Sequence, residues 1–516
     1  MPRDPADPGA GTLTGMQELV LALDIGSSSV RCRAYDQAAR HVSSTPDNPP
    51  LHARTYALGN DGTLPVGEVT AAADAVVDDC LDDLRRLSGD IRILGVGISS
   101  LAMSLVGVDT TGRPVTPGFT YACRHGAAAA EQLRGQLEKQ GELEATWART
   151  GVPIHTAYAP AQLLGLDATE PGLLAQTACW QTLGSHLLAR WTGRPAAPIS
   201  TCEAGWTGLQ DRHRQAWSCE LLNLLPISEE HLPPLRDYSE SLATLAPAYA
   251  QRWPELAESR FCLPVGDGAA ANIGSGAVDR TSLAVTIGTS AAVRVVLPNR
   301  PDGTVPEVPV GLWCYRIDHN RHLLGGALTD GGSIPVWICN LLGETRADLE
   351  QQARAVHPDS HGLTILPFLQ GERSPGWADN ASLSLHGITA GTEPGQLMRA
   401  GLEAVTYRLA LIIRKLTPAI QPDTAILASG GNLEYSDLWC RILAGASQRP
   451  VQRTRSTETT SRGAAILTLE AILASEARSP EFHIADRFEP NPDEAPTYDR
   501  GLARQVDLYE HIYGQA

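Results

Sequence analysis

Lysine is almost missing. Of the 41 basic residues in 516, only Lys139 and Lys415 are lysines, and neither follows a glycine, which excludes a Walker-type phosphate loop. Ten cysteines are spread from Cys32 to Cys440 with no C-x-x-C pair, so no zinc knuckle or dense disulfide framework is written here and a reducing cytoplasm is the expected compartment. Long apolar runs are also lacking. The longest stretch without Asp, Glu, Lys or Arg, 171–189, contains Gln176, Gln181, Ser185 and His186, and it reads as a helix of a soluble core. Gly95-Val96-Gly97-Ile98-Ser99-Ser100 does not complete G-x-G-x-x-G and no G-x-S-x-G occurs, so dinucleotide-dependent dehydrogenase and serine hydrolase readings lose support. Positive charge is in deficit, 41 against 58 acidic residues for a net −17. That balance argues against nucleic acid or an anionic membrane as partner. Residues 1–18 are rich in Pro, Gly and Asp without an apolar core, and are expected to be a disordered tail rather than a signal peptide.

What is present is an ordinary globular composition, 43% hydrophobic and 19% charged. Short apolar runs ending in Gly or Ser alternate with amphipathic segments, which predicts α/β layers. Residues 19–25 and 91–98 read as strands. Val76, Val77, Cys80, Leu81 and Leu84 form a helical stripe, as do Leu402, Val405, Leu409 and Ile412. Residues 226–261, rich in Pro and Glu with no strong period, are expected to join two halves. The expected division is a tail 1–18, an N-terminal domain 19–257, a C-terminal domain 258–476 and an extension 477–516.

One internal repeat organises the chain. Leu21-Ala22-Leu23-Asp24-Ile25-Gly26-Ser27-Ser28 matches Leu283-Ala284-Val285-Thr286-Ile287-Gly288-Thr289-Ser290 at an offset of 262 residues. Length alone suggests roughly 3.4 domains at about 150 residues each, whereas the repeat implies two large halves. Each copy delivers a glycine and two hydroxyls to a tight turn, where backbone N–H groups and hydroxyls converge on phosphate oxygens. Two such turns across a cleft would hold a polyphosphate; one alone would be an ordinary hairpin.

LALDIGSSSVR, VGDGAAANIGSGAVD, LAVTIGTSAAVR and ASGGNLEYSDLW, in that order, resemble the FGGY family of carbohydrate kinases, and the gluconate kinases within it. RTGVPIHTAYAPAQLLGL, GWTGLQD, GLWCYR, GERSPGW and TTSRGAA resemble family blocks too, so the likeness runs from about residue 19 to about 475. It implies two actin-like ATPase (ribonuclease H-like) domains with the active site in the cleft between them. It also implies transfer of the γ-phosphoryl of ATP, with Mg²⁺, to a hydroxyl of a sugar, polyol or sugar acid, gluconate being the first expectation. A small-molecule substrate is the expected partner, and a homodimer is compatible with the sequence.

The resemblance implies a role for each matching residue. Asp267, between Gly266 and Gly268, stands as the catalytic base and touches the acceptor, because a sugar hydroxyl is a poor nucleophile until a carboxylate takes its proton. The flanking glycines, Gly268 among them, are expected to let substrate approach the backbone. Asp24 would hold Mg²⁺ through water. Gly26, Ser27 and Ser28 of the first turn, with Gly288 and Thr289 of the second, would bind phosphates. Gly430, Gly431 and Asn432 would lie on the adenine side, with Tyr435 beside them. Arg124, Tyr158 and Trp206 are candidates for the acceptor. In the loop Tyr121-Ala122-Cys123-Arg124-His125, Cys123 stands where the gluconate kinases have Asp and His125 where they have Arg. The competing readings are a kinase for another sugar, such as a pentulose or polyol, and an actin-like ATPase or sugar sensor without kinase activity.

Overall fold

The computed structural model describes residues 16–514 except 47–49, 243, 455–457, 475–479, 481 and 483. The expected tail lies outside the described residues up to position 15, and residues 17 and 18 already belong to the first strand, Gln17–Ile25. This strand is buried on both faces. Leu19, Leu21, Leu23 and Ile25 pack with Val69, Val76 and Val77 of the helix Val66–Leu84, while Val20 and Ala22 face the opposite layer. It pairs antiparallel with Ser29–Asp36 and parallel with Ile91–Ser100, and Arg260–Cys262 and Val265–Gly266 extend the sheet from Ile91–Ser100.

The second copy of the repeat builds the second sheet in the same way. Ser282–Ile287 pairs antiparallel with Ala291–Pro298 and parallel with Ala425–Ser429, followed by Val451–Thr454 and an antiparallel edge strand Ile484–Phe488. The long helix Pro394–Leu416 covers it, with Leu402, Val405, Leu409 and Ile412 in one core with Leu283, Val285 and Ile287. Both copies are hairpins, and their turns differ by one residue. Ile25 pairs with Val30, whereas Ile287 pairs with Ala291.

The other layer over the first sheet comes from both halves of the chain. Helices Asp267–Ser275 and Thr459–Leu473 cross there, placing Ala269, Ala270, Ile273, Ala464 and Ala465 against Val20 and Ala22. The crossing is close enough that a Cβ on Gly274 would lie 1.8 Å from the Thr459 carbonyl oxygen, and one on Gly463 1.7 Å from that of Ala270. The GSG and SRGAA blocks of the sequence are thus two sides of one helix contact.

Three sequence expectations are corrected. Residues 226–261 are no linker, because Trp253, Leu256 and Phe261 are buried in the first core and Ser241–Leu242 and Arg260–Cys262 are strands of the first sheet. The stretch 171–189 is not one helix but helix Pro171–Gln176, strand Cys179–Gln181 and the start of helix Leu183–Thr192, the strand pairing with Ser104–Val108. Residues beyond 477 do not stand apart, since Tyr498 and Leu502 of helix Ala495–Tyr513 enter the second core. Among the described residues no helix is long and apolar enough to cross a membrane, and all ten cysteines are free.

Candidate active site

Both hairpins deliver their turns to the end of their sheets. In the first, Gly26 N–H donates to the Ser29 carbonyl at 2.9 Å, and Tyr56 clamps the turn by donating its hydroxyl to the Gly26 carbonyl and its N–H to that of Ser28. In the second, Gly288 N–H donates to the Ser290 carbonyl at 2.9 Å. A Cβ on Gly26 would meet nothing nearer than Ser29 O at 3.5 Å, and one on Gly288 nothing nearer than Ser290 O at 4.0 Å, so the surrounding protein leaves room at both.

Asp24 is the next-to-last residue of the first strand, buried, with Arg31 of the hairpin at 3.9 Å. Burial, then the neighbouring Asp267 carboxylate, pushes its pKa up to about 7. Two carboxylates with one guanidinium at the edge of contact form an electrostatic setting that a divalent cation fits. Asp267 opens its helix, whose N-terminal dipole favours the anion. Its Oδ1 accepts from Gly268 N–H at 2.7 Å and Ala102 N–H at 3.4 Å. Burial raises its pKa, while Arg294, these two N–H groups and Arg373 pull it back. Asp24, Gly26, Ser27, Ser28, Asp267 and Gly268 line one cavity of about 310 Å³, with Ser290 and Ala291 of the second hairpin.

The far wall of this cavity is aromatic. The Trp206 ring stacks on Tyr315 with centroids 3.6 Å apart, Trp313 stacks on the other ring at 4.7 Å, and Tyr158 and Tyr315 join hydroxyls at 2.7 Å. Trp206 explains the glycines beside Asp267. A Cβ on Gly266 would lie 2.3 Å from the indole nitrogen and one on Gly268 3.1 Å from the ring. The space expected for substrate at the Gly266 backbone is therefore filled by Trp206. Arg124 does not line this cavity. Its guanidinium donates to the Asp379 carbonyl at 2.6 Å, at a separate pocket of about 260 Å³ bordered by His155 and Asp379.

The cavity's own cations from the second half are Arg294 and Arg373, both absent from the sequence-based candidates. Each sat inside a quoted block, and the signal for Arg294 was strand alternation, since Ala292, Arg294 and Val296 share one face of their strand.

At the turn expected to face adenine, Gly430 has φ +91° and a Cβ there would meet the Ile287 carbonyl oxygen at 2.6 Å, so the turn needs glycine. Gly431 has nothing within 4 Å, and Tyr435 is 82% exposed. Asn432 acts as a brace. Its Nδ2 donates to the Gly288 carbonyl at 2.9 Å and its Oδ1 accepts from Arg346 at 3.3 Å. A third glycine turn was missed: Gly331 and Gly332 N–H donate to the carbonyls of Thr289 and Gly288, at 2.8 and 2.9 Å, before helix Ser333–Leu342. A Gly-Gly pair between strand Arg321–Leu328 and that helix was the available signal.

Residues 19–274 match the N-terminal domain of the FGGY family of carbohydrate kinases and residues 283–472 its C-terminal domain. The chain is 24% identical over 469 residues to the gluconokinase of Bacillus subtilis (strain 168), covering 88% of each chain. It is 29% identical over 395 residues to the glycerol kinase of Thermus brockianus, covering 74% of this chain and 77% of that one. The solved gluconate kinase from Lactobacillus acidophilus superposes with a TM-score of 0.83 at 23% identity, covering 96% of this chain and 98% of that one. A ligand-bound xylulose kinase from the same organism gives the same TM-score, identity and coverage. With the first glycine turn and Ser290 and Ala291 of the second hairpin on one cavity, an acid at the head of a helix beside them, and both halves matched in order, the chain belongs to the FGGY family of carbohydrate kinases.

Proposed function

We propose that this kinase transfers the γ-phosphoryl group of ATP to a primary hydroxyl of an open-chain sugar acid, gluconate being the first acceptor, with Asp267 as the base. The observation that carries this reading is the common cavity of Asp267, the two hairpin turns and an aromatic wall. Asp267 accepts the acceptor's proton on the carboxylate oxygen left free by Gly268 and Ala102 N–H, as the hydroxyl oxygen forms its bond to phosphorus and the bond to the ADP oxygen breaks. Hydroxyls and backbone N–H groups of Ser27, Ser28 and Thr289 orient the phosphates, on turns that Gly26 and Gly288 close with their own N–H groups, and Gly430 and Gly431 border the base. Asp24 would hold Mg²⁺, which when bound supplies charge neutralisation to the phosphate oxygens. The gluconokinase relatives support gluconate as the first acceptor to test.

ADP release measured against gluconate, xylulose, ribulose, glycerol, fuculose and erythritol tests the reading. Gluconate is expected to give the highest kcat/KM. A higher value for a neutral sugar would replace the acceptor, and no acceptor-dependent turnover would remove the reading.

A further inference from the structure

Two guanidiniums face the acceptor end of the cavity without a carboxylate partner. No Asp or Glu lies within ion-pair distance of Arg294 or Arg373 among the described residues, and each carries a buried Nε with no hydrogen-bond partner. Their remaining contacts are weak in charge. Arg294 reaches the Thr286 hydroxyl at 3.5 Å, and Arg373 donates to the Leu328 carbonyl at 3.1 Å and lies over the Tyr121 ring at 5.2 Å. A buried donor left unpaired costs stability, so an acceptor group from outside the protein is the natural complement.

Position decides which ligand supplies it. A Cβ on Gly268 would lie 3.1 Å from the Trp206 ring and 3.4 Å from Arg294 Nε, so this guanidinium stands beside the base and against the aromatic wall. Arg373 lies over the Tyr121 ring, and both arginines share the cavity lining with Tyr158, Trp206 and Tyr315. The pair is therefore on the aromatic side of Asp267, which is the acceptor side in the reading above. Asp330 forms no ion pair with Arg373; its oxygens accept from the Ser333 hydroxyl at 2.8 Å and Gln370 N–H at 2.9 Å. The loop that carries Arg373 is fixed. Glu372 is held by Arg408 of the central helix and by Tyr509 at 2.6 Å, and Gly376 packs so tightly there that a Cβ would lie 2.0 Å from the Tyr509 hydroxyl. A planar, forked donor on a rigid loop suits a planar, two-oxygen acceptor.

We infer that Arg294 and Arg373 together seat the carboxylate of the acceptor, which makes them the residues that select a sugar acid over a neutral sugar; the inference rests on the sugar-acid reading above. Stacked rings of Trp206, Tyr315 and Trp313 would then lie along the aliphatic face of the chain, and Asp267 would meet its hydroxyl end.

The test is nucleotide-free binding to the full-length enzyme by calorimetry, using gluconate, its uncharged counterpart sorbitol and, separately, a non-hydrolysable ATP analogue. The wild type is expected to bind gluconate at least tenfold more tightly than sorbitol. Arg373→Gln and Arg294→Gln are each expected to weaken gluconate about 10- to 100-fold, the range for a charge-assisted hydrogen bond, and to leave the ATP analogue within about threefold. Arg373→Lys, which keeps the charge and loses the fork, is expected to lie between and serves if the glutamine variant does not fold. Unchanged gluconate binding in these variants, or loss of the ATP analogue to the same degree, overturns the seat, the latter assigning the pair to the γ-phosphate. If the wild type still turns over gluconate in that case, the acceptor reading stands without the seat. Wild-type turnover confined to neutral sugars overturns both.

Discussion

At Asp267 the helix N-terminus and the buried surroundings act in opposite directions, one favouring the carboxylate and the other its protonated form. The result is a proton acceptor stronger than an exposed aspartate. Asp267→Asn keeps the shape and removes the base, so kcat is expected to fall about 10²- to 10⁴-fold in a coupled ADP assay while the affinity for a non-hydrolysable nucleotide changes little. Glu203 shows the same burial without the chemistry. It is buried beside Thr182, whose hydroxyl it accepts, and burial raises its pKa to about 7. Because the folded value lies above the unfolded one, its contribution to stability is present in full below about pH 4.5 and is lost as pH rises through about 7. Thermal unfolding between pH 5.5 and 8.5 is expected to show Tm falling with pH in the wild type, and Glu203→Gln is expected to reduce that fall.

Among the elements, the crossing of helices Asp267–Ser275 and Thr459–Leu473 carries the tightest steric demand. Gly463→Ala forces a methyl onto the Ala270 carbonyl and is expected to cost about 1–3 kcal/mol or more by denaturant unfolding. Gly431→Ala meets open space and is expected to leave stability unchanged, its effect showing in nucleotide affinity. The contrast explains what the sequence could carry. The 262-residue repeat was legible because each copy writes a whole strand and turn locally, and both sheets follow from it. The extra residue in the first turn was not, since an ungapped alignment of Gly26-Ser27-Ser28 on Gly288-Thr289-Ser290 hides where pairing resumes. Strands of two or three residues, such as Ser241–Leu242 and Arg260–Cys262, have no measurable period, so the segment holding them read as a linker. Asp24 and Asp267 were found through local motifs. Arg294 and Arg373 were passed over because their significance lies in what they fail to contact, which spacing does not encode.

Across the whole molecule, Asp379 joins the two halves of the chain. Its carboxylate lies 2.7 Å from His155 Nε2, 3.2 Å from the Thr156 hydroxyl and 3.7 Å from Arg134, and its carbonyl accepts from Arg124. Four residues of the first half thus converge on one of the second, with the Gly151 carbonyl accepting Cys314 N–H at 2.8 Å as a further join. Asp379→Ala is expected to loosen closure, raising acceptor KM several-fold and increasing ATP hydrolysis per phosphoryl transferred, measured as ADP against sugar phosphate. The shared helix layer has a consequence for synthesis. The first sheet is complete once residue 266 has been made, yet half of the cover on one face arrives only with residues 459–473. At about 5–20 residues per second, the ribosome takes roughly 10 to 40 s to add the stretch between the two helices, during which Val20 and Ala22 lack their second covering helix. A nascent chain of this kinase is therefore expected to leave part of this apolar sheet face uncovered until residues 459–473 have been made.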